Sequence, residues 1–201
     1  SPAAQLTLDF YQIYLADRIS TTSAIELDEQ TIGLLLEQGF EEAETYRSAK
    51  FFTNDFDTRT RGLDLVFNWQ FDLQGWQHQL LATLNWTDTQ VIRVTTQDYE
   101  QRDGTVNLTT QRIRMLEDNL PAYRANISLT QSFGAHQLAW QVHYFGAFYE
   151  DHLDASAGYD IESSGRFTLD ARWSYQLADG WAFMVGMNNV FNTQPELNPH
   201  R

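Results

Sequence analysis

Residues 165–191 read GRFTLDARWSYQLADGWAFMVGMNNVF, and the alternation in this stretch decides the fold class. Phe167, Leu169, Ala171, Trp173, Tyr175 and Leu177 alternate with Thr168, Asp170, Arg172, Ser174 and Gln176, and Trp181, Phe183, Val185 and Met187 repeat the pattern. A period of two is that of a β-strand with one apolar face. The Ala178-Asp179-Gly180 link is a three-residue hairpin loop in which glycine takes the left-handed position. It sets Leu177 opposite Trp181, Tyr175 opposite Phe183 and Trp173 opposite Val185, so both apolar rows share one face.

Register and apolar pattern are independent, yet they agree again in two further hairpins. Phe133-Gly134-Ala135-His136 reads as a two-residue turn that pairs Leu129 with Trp140, Ile127 with Val142 and Ala125 with Tyr144. Around Leu73-Gln74-Gly75-Trp76, a four-residue loop pairs Trp69 with Leu80, Phe67 with Ala82, Leu65 with Leu84 and Leu63 with Trp86. The opposite face carries Asp64, Asn68, Gln70, Thr83, Asn85, Arg124, Asn126, Ser128, Gln141, His143, Asp170, Arg172 and Ser174. No hydrophobic core can be built from that face, so it meets water or another polar surface.

Composition bounds the function. The 201 residues contain no cysteine, which removes disulfides and thiolate metal sites. A formal charge of −14, with scattered Lys and Arg, excludes nucleic acid as a partner. No apolar run reaches the roughly 18 residues of a transmembrane helix, but strands that alternate can cross a bilayer without one. The opening SPAAQLTLDF has no charged region followed by an apolar one, so it is read as a strand and not as a signal peptide.

In chain order, Leu6 to Ile19 is a strand whose apolar phase switches between Phe10 and Ile13. Ser20 to Arg47 is a long connection with a short helix around Ile32, Leu35 and Leu36, Ser23 as upstream cap and Gly39 as stop. Lys50 to Phe71 is a long strand with a bulge expected near Asp55 to Thr58. His78 to Val94 returns, and a polar connection to Asn119 holds a turn signal at Asp103-Gly104. The strands from Tyr123 and His136 follow, then a connection from Glu150 to Ser164 and the closing hairpin.

Short turns near 74, 134 and 179 thus alternate with long connections near 34, 106 and 157. In an antiparallel sheet this puts all short turns at one end and all long loops at the other. With an apolar band about nine residues tall, that describes an all-β fold: part of an antiparallel transmembrane β-barrel of about seven strands, with short periplasmic turns and long extracellular loops. Lipid-facing positions are then Leu63, Leu65, Phe67, Trp69, Leu80, Leu84, Trp86, Ile127, Leu129, Trp140, Val142, Leu169, Trp173, Phe183 and Val185. Tryptophans near strand ends suit interfacial girdles.

Leu6 to Ile19, FFTNDFDTRTRGLDLVFNW from Phe51, LPAYRANISL from Leu120 and GWAFMVGMNNVFNTQPE from Gly180 resemble the carboxy-terminal barrel of TonB-dependent outer-membrane receptors. The most specific parts are Asn54 to Asp64, with Gly62 before the acidic residue, and Asn188-Asn189-Val190-Phe191. The resemblance implies a 22-stranded barrel around an amino-terminal plug, a TonB box that engages an energy-transducing partner, and import of a scarce nutrient such as a ferric siderophore or cobalamin. Seven strands, with no plug, no TonB box and no further strand after Arg201, then mark residues 1–201 as a carboxy-terminal piece. Its partners would be outer-membrane lipid, the plug and remaining strands, TonB through the missing amino-terminal region, and a small-molecule nutrient such as a ferric chelate. Among loop residues, Tyr99, Arg102 and Tyr159 are the candidates for contacting that nutrient, on position alone.

Catalytic and metal chemistry finds little support, and no cofactor is expected. Pairing across the 150–164 connection would bring His143 near Asp170, with Ser174 further along, but polar residues are expected throughout that face. The five histidines lie far apart and form no metal-ligand spacing. Three rival readings are a soluble carbohydrate-binding β-sandwich, an outer-membrane barrel hydrolase and a passive porin. The sandwich requires aromatics gathered in loops, whereas most tryptophans here sit on the strands' apolar face.

Overall fold

The computed structural model describes residues 3–22, 24–95, 108–151, 160–177 and 180–196. Its main strands are β1 (Ala3–Thr21), β4 (Phe52–Leu73), β5 (Trp76–Val94), β6 (Tyr123–Phe133), β7 (His136–Phe145), β10 (Arg166–Gln176) and β11 (Ala182–Met187). They form one seven-stranded sheet in the order β1-β4-β5-β6-β7-β10-β11, which is sequence order once the small elements are left aside. Two minor pairs lie in the long connections: β2 (Ile25–Glu26) with β3 (Ser48–Ala49), and β8 (Phe148–Glu150) with β9 (Ile161–Ser163). Among the described residues there are two α-helices, α1 (Glu29–Glu37) and α2 (Thr110–Asp118). The sheet is open, with β1 and β11 at its edges, as in a segment of barrel wall.

The chain divides into two compact units. The first comprises Ser1–Ile13, Thr60–Thr89 and Arg114–Arg201. Its pairings carry the expected register: Leu129↔Trp140, Ile127↔Val142 and Ala125↔Tyr144 in β6–β7, and Trp173↔Val185 and Tyr175↔Phe183 in β10–β11. Neighbouring pairs extend the face, since Leu80 sits opposite Leu129, Trp86 opposite Tyr123, and Leu169 opposite Val142. Between β4 and β5, Phe71 stacks on His78 at 4.7 Å, Asn85 Nδ2 donates to Asp64 Oδ1 at 2.6 Å, and Thr60 meets Thr89 at 3.0 Å. These contacts fit the register read from the sequence. The turn itself is tighter than a four-residue loop, because the strands run to Leu73 and restart at Trp76. Gln74 and Gly75, at φ 51° and 82°, form the two-residue link whose twist matches the strands.

The second unit comprises Tyr14–Arg59 and Gln90–Ile113. Asp55, Phe56, Asp57 and Thr58 are all buried there, so the alternation of β4 is interrupted where the sequence suggested a bulge. Asp17 in β1 has φ 52°, a conformation rare outside glycine. Its N–H donates to Asp57 Oδ1 at 2.8 Å, and Asp57 also accepts from Tyr14 Oη at 2.6 Å and from Arg93 Nε at 2.6 Å. Ser20 Oγ lies within 2.9 Å of both Asp55 oxygens, and Arg18 stands 5.2 Å over the Phe56 ring. Buried carboxylates persist only when hydrogen-bonded in this way.

Helix α1 forms where Ile32, Leu35 and Leu36 required it. Its cap is Asp28, whose Oδ1 accepts from Thr31 N at 2.7 Å, because the helix starts five residues later than a Ser23 cap implied; Ser23 itself lies outside the described residues. Gly39, at φ 92°, ends it, with Phe40 N donating to Leu35 O. Helix α2 was not anticipated. Its apolar residues are only Ile113, Met115 and Leu116 among Gln111, Arg112, Arg114, Glu117 and Asp118, so the segment reads as a polar connection despite its helical spacing, and the Thr109 hydroxyl accepting from Arg112 N marks its start. The turn signal at Asp103-Gly104 lies outside the described residues.

Candidate functional site

Two faces and one loop pocket are the chemically distinctive surfaces. On the apolar face the side chains are open: Ile127 is 46% exposed, Trp140 39%, Phe183 52% and Val185 53%. Among the described residues the buried apolar side chains are Ala43, Phe56, Leu108 and Tyr149, and none belongs to that face. Aromatics gather at its ends. Near the short turns, Trp76 stacks on Phe133 at 5.1 Å and Trp173 lies edge-on to Phe183 at 5.9 Å. Near the long connections, Trp86 sits opposite Tyr123 and Phe167 packs on Phe191 at 6.4 Å. An apolar face of this size that none of the described residues covers is not that of a soluble sandwich, whose two sheets bury each other.

The opposite face carries a transverse polar chain. Asp64 is bonded to Asn85, Asn126 Nδ2 reaches Thr83 at 3.4 Å, and His143 Nδ1 lies 2.5 Å from Asn126 Oδ1. His143 Nε2 stands 3.8 Å from Asp170, whose Oδ1 accepts from Asn189 N at 2.7 Å. His143 and Asp170 are thus neighbours, as cross-strand pairing suggested. Ser174 pairs with Gln137, two same-face positions beyond Asp170, or about 13 Å along the strand, so no triad is assembled. Among the described residues no group of three or more His, Asp or Glu is placed to hold a metal ion.

The pocket lies in the second unit, within the connection from β1 to β4. A cavity of about 480 Å³ is walled by Leu27, Leu35, Phe40, Ala43, Tyr46 and Ala49, with Glu41, Glu42, Ser48 and Lys50 beside them. Ala49 of its lining pairs with Ile25, and Ala43 of the 3₁₀ turn Ala43–Thr45 contributes to its wall. The Thr31 hydrogen bonds hold the Asp28 carboxyl below its ordinary value, which keeps the cap charged. Sequence reasoning located the helix but missed the pocket, because Phe40, Ala43 and Tyr46 follow no strand or helix period. Tyr99, Arg102 and Tyr159 lie outside the described residues.

Strands with one open apolar face, aromatic ends, a polar reverse and long loops on one side define a wall segment of a membrane β-barrel. Comparison with known proteins makes this specific: the model of the TonB dependent receptor-like β-barrel matches residues 2–190, and the chain belongs to that family. These are transport receptors of the bacterial outer membrane and not enzymes. Among solved structures the chain is similar to the outer membrane transporter YddB from Escherichia coli, at 11% identity and TM-score 0.59, covering 96% of this chain and 27% of that one. It is also similar to the ferripyoverdine receptor of Pseudomonas aeruginosa, solved with ferripyoverdine bound, at 15% identity and TM-score 0.56, covering 96% of this chain and 21% of that one. The chain therefore spans about a quarter of the length of these structures. No curated protein matches it.

Proposed function

We propose that residues 1–201 are the carboxy-terminal wall of a TonB-dependent transporter that imports a scarce nutrient such as a ferric siderophore. The observation that carries this reading is the pairing of an uncovered apolar face with a polar reverse on the same strands. The apolar face meets outer-membrane lipid, and the polar face lines the lumen where a plug and the remaining strands complete the barrel. Loops on the long-connection side capture the nutrient, and TonB, acting through the amino-terminal part, drives its release inward. The ferripyoverdine bound to one similar structure supports a ferric chelate as the cargo class.

Uptake of labelled ferric siderophores by cells carrying the whole receptor, with and without TonB, tests this. Uptake that needs both the receptor and TonB is expected. Uptake of several unrelated solutes that continues without TonB would make the protein a passive porin, and a whole protein that stays monodisperse in plain buffer would remove the membrane reading.

A further inference from the structure

We infer that the pocket between β1 and β4 is a binding site for an organic cation that carries an apolar or aromatic body. The inference rests on the transport reading only in taking the pocket as part of the capture surface.

Size and build come first. A cavity of about 480 Å³ is within the range of small-molecule sites, and its walls are mostly apolar with few polar groups, the usual composition of such sites. Its parts hold one another in place. Asp28 fixes the start of α1 and Gly39 its end, while the Ile25↔Ala49 and Glu26↔Ser48 pairs fasten both ends of the connection. Yet Phe40 remains 61% exposed and Tyr46 55%. Large aromatics left open on a loop otherwise rich in charge point to an occupant.

The sign of the occupant's charge follows from the surroundings. Residues 24–51 hold seven carboxylates, Glu26, Asp28, Glu29, Glu37, Glu41, Glu42 and Glu44, against Arg47 and Lys50. Of these, Glu41 and Glu42 stand at the pocket itself, against the single Lys50. Glu42 is tied to one of the aromatics, since Tyr46 Oη donates to its Oε2 at 3.4 Å. A negative surface concentrates cations and repels anions, and the ring faces of Phe40 and Tyr46 add attraction for a cation seated against them. An apolar body fills the cavity while the charged end lies toward Glu41 and Glu42. A ferric chelate taken here would be one whose organic shell carries positive charge.

The test uses the whole receptor in detergent and three soluble probes with the same aromatic body: 2-phenylethylammonium, 2-phenylethanol and phenylacetate. Calorimetry or ligand-observed NMR should give binding at least about tenfold tighter for the cation than for the alcohol, with phenylacetate weakest. The double variant Glu41→Gln with Glu42→Gln should weaken the cation about tenfold and leave the alcohol unchanged. Phe40→Ala should weaken both, with the circular dichroism of each variant matching the parent. Equal or tighter binding of phenylacetate, or a cation affinity indifferent to the double variant, overturns the inference. Those results leave nutrient uptake by the unmodified receptor intact, whereas loss of TonB-dependent uptake in that receptor defeats the transport reading whatever the pocket binds.

Discussion

The ring of Tyr11 lies directly over the α-carbon of Gly62, so close that a Cβ added at 62 would fall 2.1 Å from Tyr11 Cζ and 2.2 Å from its hydroxyl oxygen. The same hydroxyl reaches Thr87 Oγ1 at 3.2 Å, so one aromatic side chain spans β1, β4 and β5. A glycine on a strand often marks such a close approach. Gly62→Ala should cost about 1–3 kcal/mol, the usual scale of overpacking, by driving the ring aside. Guanidinium unfolding of the whole receptor in lipid vesicles measures this, and adding Tyr11→Ala to Gly62→Ala should restore part of the loss.

Arg93 is the hinge of the second unit's polar cluster. Its Nε and Nη2 both bond Asp57, at 2.6 and 2.9 Å, and Nη2 also reaches Asp17 at 2.8 Å. The Asp57 side chain is only 2% exposed, whereas that of Asp17 is 65% exposed. Arg93 is itself half exposed, but losing it takes the charged donor from a buried carboxylate that keeps only Tyr14 and the Asp17 N–H, whereas water replaces the exposed Asp17 carboxylate. Arg93→Gln should therefore destabilise this region far more than Asp17→Asn. Limited proteolysis between residues 14 and 59 reads the difference, and Asp57→Asn placed on Arg93→Gln should recover much of it.

How much of this was open to sequence reasoning depends on the range of the interactions. Strand faces and registers follow from period two and turn length, both local, and Trp173↔Val185 and Ile127↔Val142 stand where those rules put them. Asn189 illustrates the limit. The Asn188-to-Phe191 stretch stood out in the sequence, but its reason is structural: Asn189, at φ 49°, exchanges side-chain hydrogen bonds with the backbone of Thr193 while its N–H caps Asp170. The buried Asp55 and Asp57 and the walls of the loop pocket likewise depend on partners about 30 or more residues away or on an aperiodic turn. Pattern reading cannot supply those.

Glu196 supplies a pH-dependent contact beyond the last strand. Its Oε1 accepts from Ser164 Oγ at 2.6 Å and from Arg166 Nη2 at 2.8 Å, and these hold its carboxyl below the ordinary value of 4.5. A carboxyl lowered in the folded state stabilises fully above its unfolded value, and that contribution is lost as pH falls through the lowered one. The protection of the 192–196 amides against hydrogen exchange, taken relative to their intrinsic rates at each pH, should be high near neutrality and fall on acidification below about pH 4. Glu196→Gln should flatten that response.

The two faces of β6 supply the sharpest test of how this sheet meets its surroundings. Ile127 lies on the apolar face opposite Ala82 and Val142, whereas its neighbour Ser128 lies on the polar face opposite Leu81 and Gln141. Both positions are near mid-strand, so backbone propensity and distance from the turns are matched. A cation placed at the bilayer midplane of a barrel costs about 2–4 kcal/mol, while the lumen side tolerates it. Ile127→Lys should therefore lower the stability of the assembled receptor in lipid vesicles by about that amount, and Ser128→Lys by well under half of it. Equal losses at the two positions would mean that residues of the apolar face pack against protein, because only lipid on one side and water on the other makes adjacent residues of one strand respond so differently to the same charge.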